Sequence, residues 1–468
     1  MDGKHRPWFS KDRRAAAGPA RAPAAAVSRP PAARGGASSP PRILFINQYY
    51  WPDNASTAQH LADLAESLAA RGFDCHVLCG KGAYKPGSAP LPSDEVHQGV
   101  KIHRAGATSL GRGSTLRRMA DYLSFYANAA IRCATLPRFD VVVTLTTPPI
   151  IGLLGTLWRR FRGARHVSWS MDLHPDASVA LGRMSPRDPV VRGLQWLSDL
   201  VYKQSDMVVA LGPYMADRLV AKGVRPGRVT EIPVWSRRDE VYPIPREGHP
   251  LRAELGLDGQ FVAMYSGNMG LAHTFDEFLE AARRLRDRRD ITFLFVGGGP
   301  RRESVKRAKE EEGLANIRFL DYFPREQLHA SLSIADVHLI SMRSEMTGIV
   351  VPGKLYGAMA SERPCLFVGP HHCETADTIR EADCGLTIAQ GDVDGLVNAL
   401  ENLAEDADLR EILGARGRAH FLDRHEKDAC CQAWFHELHD LLGNAPRIPS
   451  RPRAVAARTF EPATGAAS

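Results

Sequence analysis

Residues 346–370, MTGIVVPGKLYGAMASERPCLFVGP, combine a loop, the start of a helix and a short apolar run. Pro352 suits the first position of a helix because proline has no N–H group to leave unpaired. We therefore predict a helix over about 353–361 and a buried strand over 365–368, which ends at Gly369-Pro370. A loop, a helix and a buried strand in this order are typical of an α/β domain.

This helix start also has the chemistry of a phosphate site. Free backbone N–H groups at the start of a helix, next to a lysine, bind phosphate well. The predicted donors are the amides of Gly348, Ile349, Val350, Val351 and 353–354, and Lys354 would supply the positive charge. An ordinary loop–helix–strand unit without a ligand remains an open alternative on this stretch alone.

The charge of the chain lies mostly at its ends. The 468 residues carry a net charge of +7, but residues 1–42 hold nine Lys/Arg against two Asp/Glu. Residues 445–468 hold four Arg and one Glu, which leaves the middle of the chain at −3. This distribution argues against a basic body that binds nucleic acid. Residues 1–41, rich in Ala, Pro and Arg, and the tail 445–468 are interpreted as disordered extensions.

Cysteine usage indicates a reducing compartment and no metal. The eight cysteines show no ligand-like spacing with histidine, so we expect buried, reduced thiols in a cytoplasmic protein. His371-His372-Cys373 resembles a zinc half-site, but no second cluster completes it. We expect neither a metal nor another cofactor.

One uncharged stretch is long enough to consider as a membrane span. Residues 141–158, VVVTLTTPPIIGLLGTLW, carry no charge. A strand over 141–146, a turn at Pro148-Pro149 and a helix over 150–162 explain it better, because proline interrupts the run. Peripheral membrane contact through the apolar and arginine side chains near Leu157 and Phe161 is left open.

Apolar runs alternate with helical patterns from Arg42 onward, which predicts an α/β protein with two doubly wound, Rossmann-like domains facing across a cleft. The charged, proline-rich stretch 236–248 fits a linker. We predict an N-terminal domain over 42–235 and a C-terminal domain over 249–425. A last helix within 426–444 has no obvious place in the second sheet and is a candidate to cross back to the first.

Several strand ends carry residues suited to ligands, since ligands of such sheets sit beyond the carboxyl ends of the strands. The first strand is followed by a loop that leads into a helix and contains Asn54, Ala55, Ser56 and Thr57. Small residues here let backbone N–H groups approach a ligand, and the hydroxyl of Ser56 or Thr57 can cap the helix. In the second half, the candidates for donor binding are Gly267, Asn268, His273 and Gly298.

Acidic residues supply the candidates for acid–base chemistry and hydroxyl binding. Asp172 follows an apolar run and could act on a hydroxyl proton, although helix capping is the plain alternative. Glu374 could accept a hydrogen bond from a ribose, whereas Glu345 fits a solvated surface charge. No complete dinucleotide fingerprint follows the first strand of either domain, which argues against a dehydrogenase.

With these elements placed, the chain resembles the family-4 glycosyltransferases of the GT-B fold, in the WbuB-like branch that builds bacterial surface polysaccharides. The resemblance runs from about Arg42 to about Leu442. The stretches that carry it are QYYWPDNASTAQHLADLAESLAARG (48–72), TTPPIIGLLG (146–155), DLHPDASVALG (172–182), ALGPYMADRL (210–219), IPVW (232–235), YSGNMG (265–270), FVGGGP (295–300) and GIVVPGKLYGAMASERP (348–364).

The resemblance implies transfer of a sugar from a nucleotide donor with retention at the anomeric carbon and without a metal. The donor would bind the second domain and the acceptor the first, and the 54–57 loop would approach the diphosphate from the opposite wall. Backbone N–H groups and Lys354 would stabilise the leaving diphosphate. Lys354 and Asp172 are the candidate catalytic residues.

The chain departs from the family pattern at several positions. Ile349 and Gly357 occupy the places of two glutamates that have seven residues between them, and Asn268 and His273 those of an arginine and a lysine. Met171 stands where a histidine is common, and the proline-serine-lysine motif reads Pro352-Gly353-Lys354. Most of these changes are usual in the branch, and they do not indicate inactivity.

We therefore predict a retaining, metal-independent glycosyltransferase that moves a UDP-linked, N-acetylated sugar to a lipid-linked or saccharide acceptor at the inner membrane surface. The alternatives are a nucleotide-sugar epimerase, a glycosyltransferase with a soluble acceptor, and a silent protein that keeps the fold and binds the nucleotide sugar. Nucleic acid is not an expected partner.

Overall fold

A computed structural model describes residues 40–53, 55–81, 91–106 and 115–443. Contacts divide these into two compact units. The N-terminal unit contains Arg42–Arg238, Glu345–Gly353 and the chain from Phe421, and the C-terminal unit contains Asp239–Ser344 and Lys354–His420. The predicted extensions lie outside the described residues, except for Pro40 and Pro41 of the first.

The N-terminal unit is built on an eight-stranded sheet in the order β3-β4-β2-β1-β5-β6-β7-β8. Its strands are β1 (Arg42–Ile46), β2 (Asp74–Gly80), β3 (Asp94–His97), β4 (Val100–Ala105), β5 (Val141–Thr144), β6 (Arg165–Trp169), β7 (Met207–Ala210) and β8 (Val229–Glu231). Its helices are α1 (Ser56–Ala70), α2 (Thr115–Thr135), α3 (Gly152–Arg162), α4 (Asp176–Ala180), α5 (Pro189–Gln204) and α6 (Pro213–Ala221). The pairings are parallel apart from the β3–β4 hairpin.

The C-terminal unit has a six-stranded parallel sheet in the order β11-β10-β9-β12-β13-β14. Its strands are β9 (Phe261–Ser266), β10 (Ile291–Val296), β11 (Ile317–Leu320), β12 (Val337–Ser341), β13 (Cys365–Val368) and β14 (Gly385–Ile388). Its helices are α7 (Pro250–Glu254), α8 (Asp276–Arg284), α9 (Arg302–Glu312), α10 (Leu328–Ser333), α11 (Lys354–Ala360), α12 (Glu374–Ala382) and α13 (Val393–Glu405).

The apolar runs become strands because both faces of each sheet are covered. In the C-terminal unit, β10 is buried along its whole length, and phenylalanines of β9, β10 and α8 share one core. In the N-terminal unit, Leu44, Val142 and Trp158 belong to a core between the sheet and α2 and α3. The predicted α/β class with two doubly wound sheets is confirmed.

The uncharged stretch 141–158 forms β5, a turn and the first part of α3. Among the described residues, no helix is both long and apolar enough to cross a membrane. The predicted helix over 353–361 is slightly shorter in the structure, where α11 covers Lys354–Ala360. The hairpin strand β3 is absent from the sequence prediction.

The chain returns to the N-terminal unit at its end. Helix α14 (Ala407–Arg424) begins in the C-terminal unit, and its residues from Phe421 group with the N-terminal one. Helix α15 (Lys427–Leu442) then packs on α1, and the ring of its Trp434 lies 4.8 Å from that of Trp169 in β6. The predicted C-terminal boundary at 425 therefore falls a few residues later than the division at His420.

Candidate active site

The strand order of the C-terminal unit defines where a ligand fits. If its strands β9 to β14 are numbered 1 to 6, their order across the sheet is 3-2-1-4-5-6. The direction in which successive strands are added therefore reverses between β9 and β12. In doubly wound sheets, ligands bind beyond the carboxyl ends of the strands at this reversal. The loop after β9 begins with Gly267, and Ser341 ends β12.

The Lys354 side chain reaches this reversal point. Its Nζ lies 3.0 Å from Nε2 of His273 and 4.8 Å from the centre of the Tyr265 ring near the end of β9. A Cβ atom added at Gly267 would lie 3.4 Å from Lys354 Cε. The predicted donor residues Gly267 and His273 therefore do gather around Lys354.

His273 meets the ammonium as a neutral acceptor. Its Nδ1 lies within hydrogen-bond distance of the Ser341 carbonyl, which can only accept, so the proton is assigned to Nδ1. Nε2 is then left as an acceptor for the Lys354 ammonium. Burial, and next the Lys354 charge, lower the pKa of His273 to about 3, against the opposing hydrogen bond to Ser341. The ring is consequently neutral at physiological pH.

Lys354 is a desolvated cation. Burial lowers the pKa of its ammonium to about 7. Among the described residues, no carboxylate forms an ion pair with it; its polar contacts are the neutral His273 and the face of Tyr265. An anionic ligand would supply the missing counter-charge and stabilise the protonated form. The cluster thus has the electrostatics of an anion site.

Two glycine loops interlock beside the cluster. Met269 N donates to Gly298 O at 2.7 Å, which ties the loop after β9 to the loop after β10. Gly297 and Gly299 have φ values of +118° and +128°. A Cβ at Gly297 would lie 2.5 Å from Gly267 O, and one at Gly299 would lie 2.7 Å from Met269 N. These close approaches to protein backbone account for glycine at 297 and 299 without a ligand.

Asp172 lies in a small cavity of the N-terminal unit, after β6. The cavity of about 30 Å³ is lined by Asp172 and His174 together with Ser168, Ser198, Tyr202, Thr144 and Thr146, among others. Burial raises the pKa of Asp172, and the nearby His174 charge opposes the rise. Asp172 caps no helix, because α4 begins later with Pro175 at its N-cap. A half-buried carboxylate among hydroxyl groups suits a general base for an alcohol.

The loop before Lys354 contradicts part of the phosphate prediction. The N–H groups of Ile349 and Val350 both donate to Met346 O, at 2.9 and 3.3 Å, so these two are not available to a phosphate. Residues 345–353 group with the N-terminal unit, where Ile349 O accepts from Leu173 N at 3.1 Å. The prediction from the sequence failed here because a local pattern does not show which tertiary contacts a loop makes.

Gly348 shows the same tertiary contact. Its φ is +67°, and an added Cβ would lie 2.5 Å from Tyr214 O at the start of α6. Arg218 of α6 donates to Thr347 O at 2.6 Å. Glycine at this position is thus required by packing on α6. Val351, the remaining predicted donor of this loop, belongs to the same unit.

The loop before α1 does not cap the helix as predicted. Asn54 lies outside the described residues. Ala55 is the N-cap and no side chain caps the helix, so the predicted cap by Ser56 or Thr57 is wrong. Ser56 Oγ instead lies 3.4 Å from Nδ1 of His60.

Two glutamates of the sequence prediction occupy different surroundings. Glu374 is buried in the first turn of α12, which follows β13 at the ligand-facing edge of the sheet. Glu345 is exposed, as expected for a surface charge.

Tyr265, Ser341 and Tyr202 were not among the residues predicted from the sequence. Tyr265 lies within an apolar strand run, and its hydroxyl donates to Asn268 O at 2.9 Å. The only sequence signal for Tyr265 was a hydroxyl-bearing side chain near the end of the apolar run FVAMYS. Among the described residues, no group of three or more His, Cys, Asp or Glu side chains could hold a metal ion.

Comparison with known proteins identifies relatives of both units. The family model "Glycosyl transferase 4-like domain" matches residues 57–235, and "Glycosyl transferases group 1" matches 250–420. The probable glycosyltransferase WbjE of Pseudomonas aeruginosa is 27% identical over 277 residues, 59% of this chain and 69% of that protein. The putative colanic acid biosynthesis glycosyl transferase WcaI of Escherichia coli K12 is 26% identical over 344 residues, 68% of this chain and 81% of that protein.

Solved structures share the architecture. Sucrose-phosphate synthase of Thermosynechococcus elongatus superimposes with a TM-score of 0.71 at 17% identity, over 86% of this chain and all of that one. HepE of Anabaena, in complex with UDP and glucose, gives a TM-score of 0.64 at 14% identity, over 85% of this chain and 98% of that one. At these identities the two structures establish the fold alone.

Proposed function

Because the chain belongs to the family-4 glycosyltransferases of the GT-B fold, we propose that it moves a sugar from a nucleoside diphosphate to a lipid-linked or saccharide acceptor. The observation that carries the donor assignment is Lys354, a desolvated ammonium without an ion pair among the described residues, at the reversal point of the C-terminal sheet. A diphosphate supplies the negative charge that this cation lacks.

The proposed donor is a UDP-linked, N-acetylated sugar. UDP is supported by the likeness to HepE, whose structure contains UDP and glucose. The N-acetyl group rests on resemblance to the WbuB-like branch. The proposed setting is surface-polysaccharide assembly at the cytoplasmic face of the inner membrane, supported by the name of WcaI, a colanic acid biosynthesis glycosyl transferase.

The proposed reaction retains the anomeric configuration and uses no metal. The bond between the anomeric carbon and the diphosphate oxygen breaks, and the oxygen leaves with the electron pair. Lys354 neutralises the charge that develops on this oxygen. The acceptor oxygen forms the new bond to the anomeric carbon, and its proton passes to a base, for which Asp172 is proposed.

His273 would act on the donor indirectly. The hydrogen bond from its Nδ1 to the Ser341 carbonyl oxygen holds the ring, and its Nε2 holds the Lys354 ammonium at 3.0 Å. It is thus a positioning residue. Asn268 and Gly298 remain proposed donor contacts, supported by their location in the loops that follow β9 and β10. Glu374 also remains one, supported by its location in the first turn of α12, which follows β13.

A thermal stability screen with UDP, GDP and their sugars tests the donor assignment. A ligand at a hundred times its dissociation constant stabilises a protein by about 2.7 kcal/mol, which is readily detected as a rise in melting temperature. We expect UDP to stabilise the wild-type protein and to stabilise the Lys354→Met variant much less. Equal stabilisation of both proteins by UDP would contradict the role of Lys354.

A further inference from the structure

Helices α2, α3 and α5 lie side by side on the N-terminal sheet. Helix α3 packs on β5, β6 and α5. At its other side, Arg162 of α3 donates to Ala134 O of α2 at 3.1 Å, and the apolar faces of α2 and α3 share one core. The three helices therefore present one continuous outer surface, which we call the three-helix face.

Large apolar side chains project from this surface. Leu123 and Ile131 of α2 are eight residues apart, and Leu157 and Phe161 of α3 are four apart, so each pair lies on one side of its helix. Phe161 is 74% exposed, and Trp196 of α5 is 64% exposed. These five side chains are among the thirteen large hydrophobic residues that are exposed in the described part of the chain. Single exposed apolar residues are ordinary, but a cluster on adjoining helices indicates a binding surface.

The same helices concentrate positive charge. Together they carry eight Lys/Arg and two Asp/Glu, whereas residues 43–444 as a whole have a net charge of −3. On α3, Arg160 lies beside the exposed Phe161 ring, and Arg162 lies over the Trp158 ring at 5.1 Å. Arg159 is already paired with Asp206 at 2.9 Å. The arginines flank apolar side chains, as they do in helices that lie in a membrane interface.

We propose that the three-helix face binds the surface of an anionic phospholipid membrane, with Phe161, Leu157 and Trp196 inserted among the acyl chains and the arginines at the headgroups. This inference rests on the proposed function, because a lipid-linked acceptor requires the enzyme at a membrane. Nucleic acid would pair with the arginines but would leave the leucines and Phe161 without apolar partners. A symmetric pair of copies would place two like-charged faces against each other, which opposes self-association.

Vesicle binding by the full-length protein tests this face. The probes are phosphatidylcholine vesicles with and without phosphatidylglycerol, and the readouts are co-sedimentation and tryptophan fluorescence. We expect binding only with phosphatidylglycerol, accompanied by a blue shift that is lost in Trp196→Phe. Leu157→Ser combined with Phe161→Ser, and separately Arg160→Glu, should each weaken binding by about tenfold.

A matched control is Ile412→Ser on α14, where the side chain is 48% exposed and belongs to the C-terminal unit. This variant should bind vesicles like the wild type. Equal binding to vesicles without phosphatidylglycerol would overturn the proposal. Full binding by both face variants would also overturn it, since the basic residues before Arg42 would then account for the binding.

The two proposals fail in different ways. UDP should stabilise the face variants as it does the wild type, which also shows that they fold. Vesicle binding without stabilisation of the wild type by UDP would reject the proposed donor and leave the membrane face standing. Stabilisation by UDP without vesicle binding would reject the face. Sedimentation that shows concentration-dependent dimers, lost in the face variants, would assign the surface to a second copy and overturn the proposal.

Discussion

The affinity for UDP should fall as the pH rises above 7, because the proposed site binds the diphosphate through a protonated Lys354. Burial holds the pKa of this ammonium at about 7 in the free protein, against an ordinary value of 10.5. At 1.36 kcal/mol per unit, desolvation therefore disfavours the charged form by roughly 5 kcal/mol. The diphosphate restores a counter-charge, so the bound form takes up a proton that the free form has lost.

As the pH rises above 7, the free energy of unfolding of the free protein should rise, whereas the affinity for UDP should fall. A lysine with a lowered folded-state pKa destabilises the free protein below about pH 7, and this cost is relieved as the pH rises from 7 toward 10.5. The affinity for UDP should instead fall about tenfold per pH unit between pH 7 and 9, as long as the pKa of the bound ammonium stays above the pH. His273, with its pKa near 3, stays neutral throughout and adds no slope.

Isothermal titration with UDP at pH 7, 8 and 9 measures this dependence. The terminal phosphate of UDP titrates near pH 6 and is already ionised in this window. Buffers with different ionisation enthalpies should reveal the uptake of about one proton per UDP at pH 8. Lys354→Arg keeps its charge and should remove the slope, and Lys354→Met should bind weakly at each pH. A wild-type affinity that is flat from pH 7 to 9, or a slope that persists in Lys354→Met, would refute the reasoning.

Three further outcomes are expected. Asp172→Asn should lower kcat by about 10²- to 10⁴-fold with little change in UDP affinity, and the wild-type kcat should fall with falling pH through the raised pKa of Asp172, both measured in steady-state assays. Gly299→Ala should destabilise the protein by about 3 kcal/mol or more. The matched change Gly313→Ala, also at positive φ but with open space, should cost only about 1 kcal/mol; equal melting temperatures for the two would refute the packing argument. Asp336→Ala should cost about 3 to 5 kcal/mol in chemical denaturation, because it leaves the 1%-exposed Arg252 side chain without its carboxylate at 3.0 Å.

Much of the fold follows from local pattern. Apolar runs such as 291–296 are continuous because both faces of the strand are covered, and this continuity is visible in the sequence. The β3–β4 hairpin was not predicted, because Asp94–His97 is a short edge strand with partly exposed positions and a weak apolar signal. Edge strands of this kind depend on pairing more than on their own composition.

The site was predictable only in part. Lys354 stood out as a cation at a helix start, and Gly267 and His273 as small and polar residues after a strand. The pairing of Lys354 with His273 joins residues 81 positions apart and could not be seen locally. For the same reason the sequence did not show that the loop at 267–269 requires glycine at 297 and 299.

The most direct test of the account is sugar transfer itself. Purified protein is incubated with radiolabelled UDP-sugars and bacterial membrane extract, and the lipid fraction is analysed for label. We expect labelled lipid with the wild type, and a large loss of label with Lys354→Met and Asp172→Asn. Binding of UDP-sugars with no transfer to lipid or to soluble saccharide would show a silent binding protein and contradict the account.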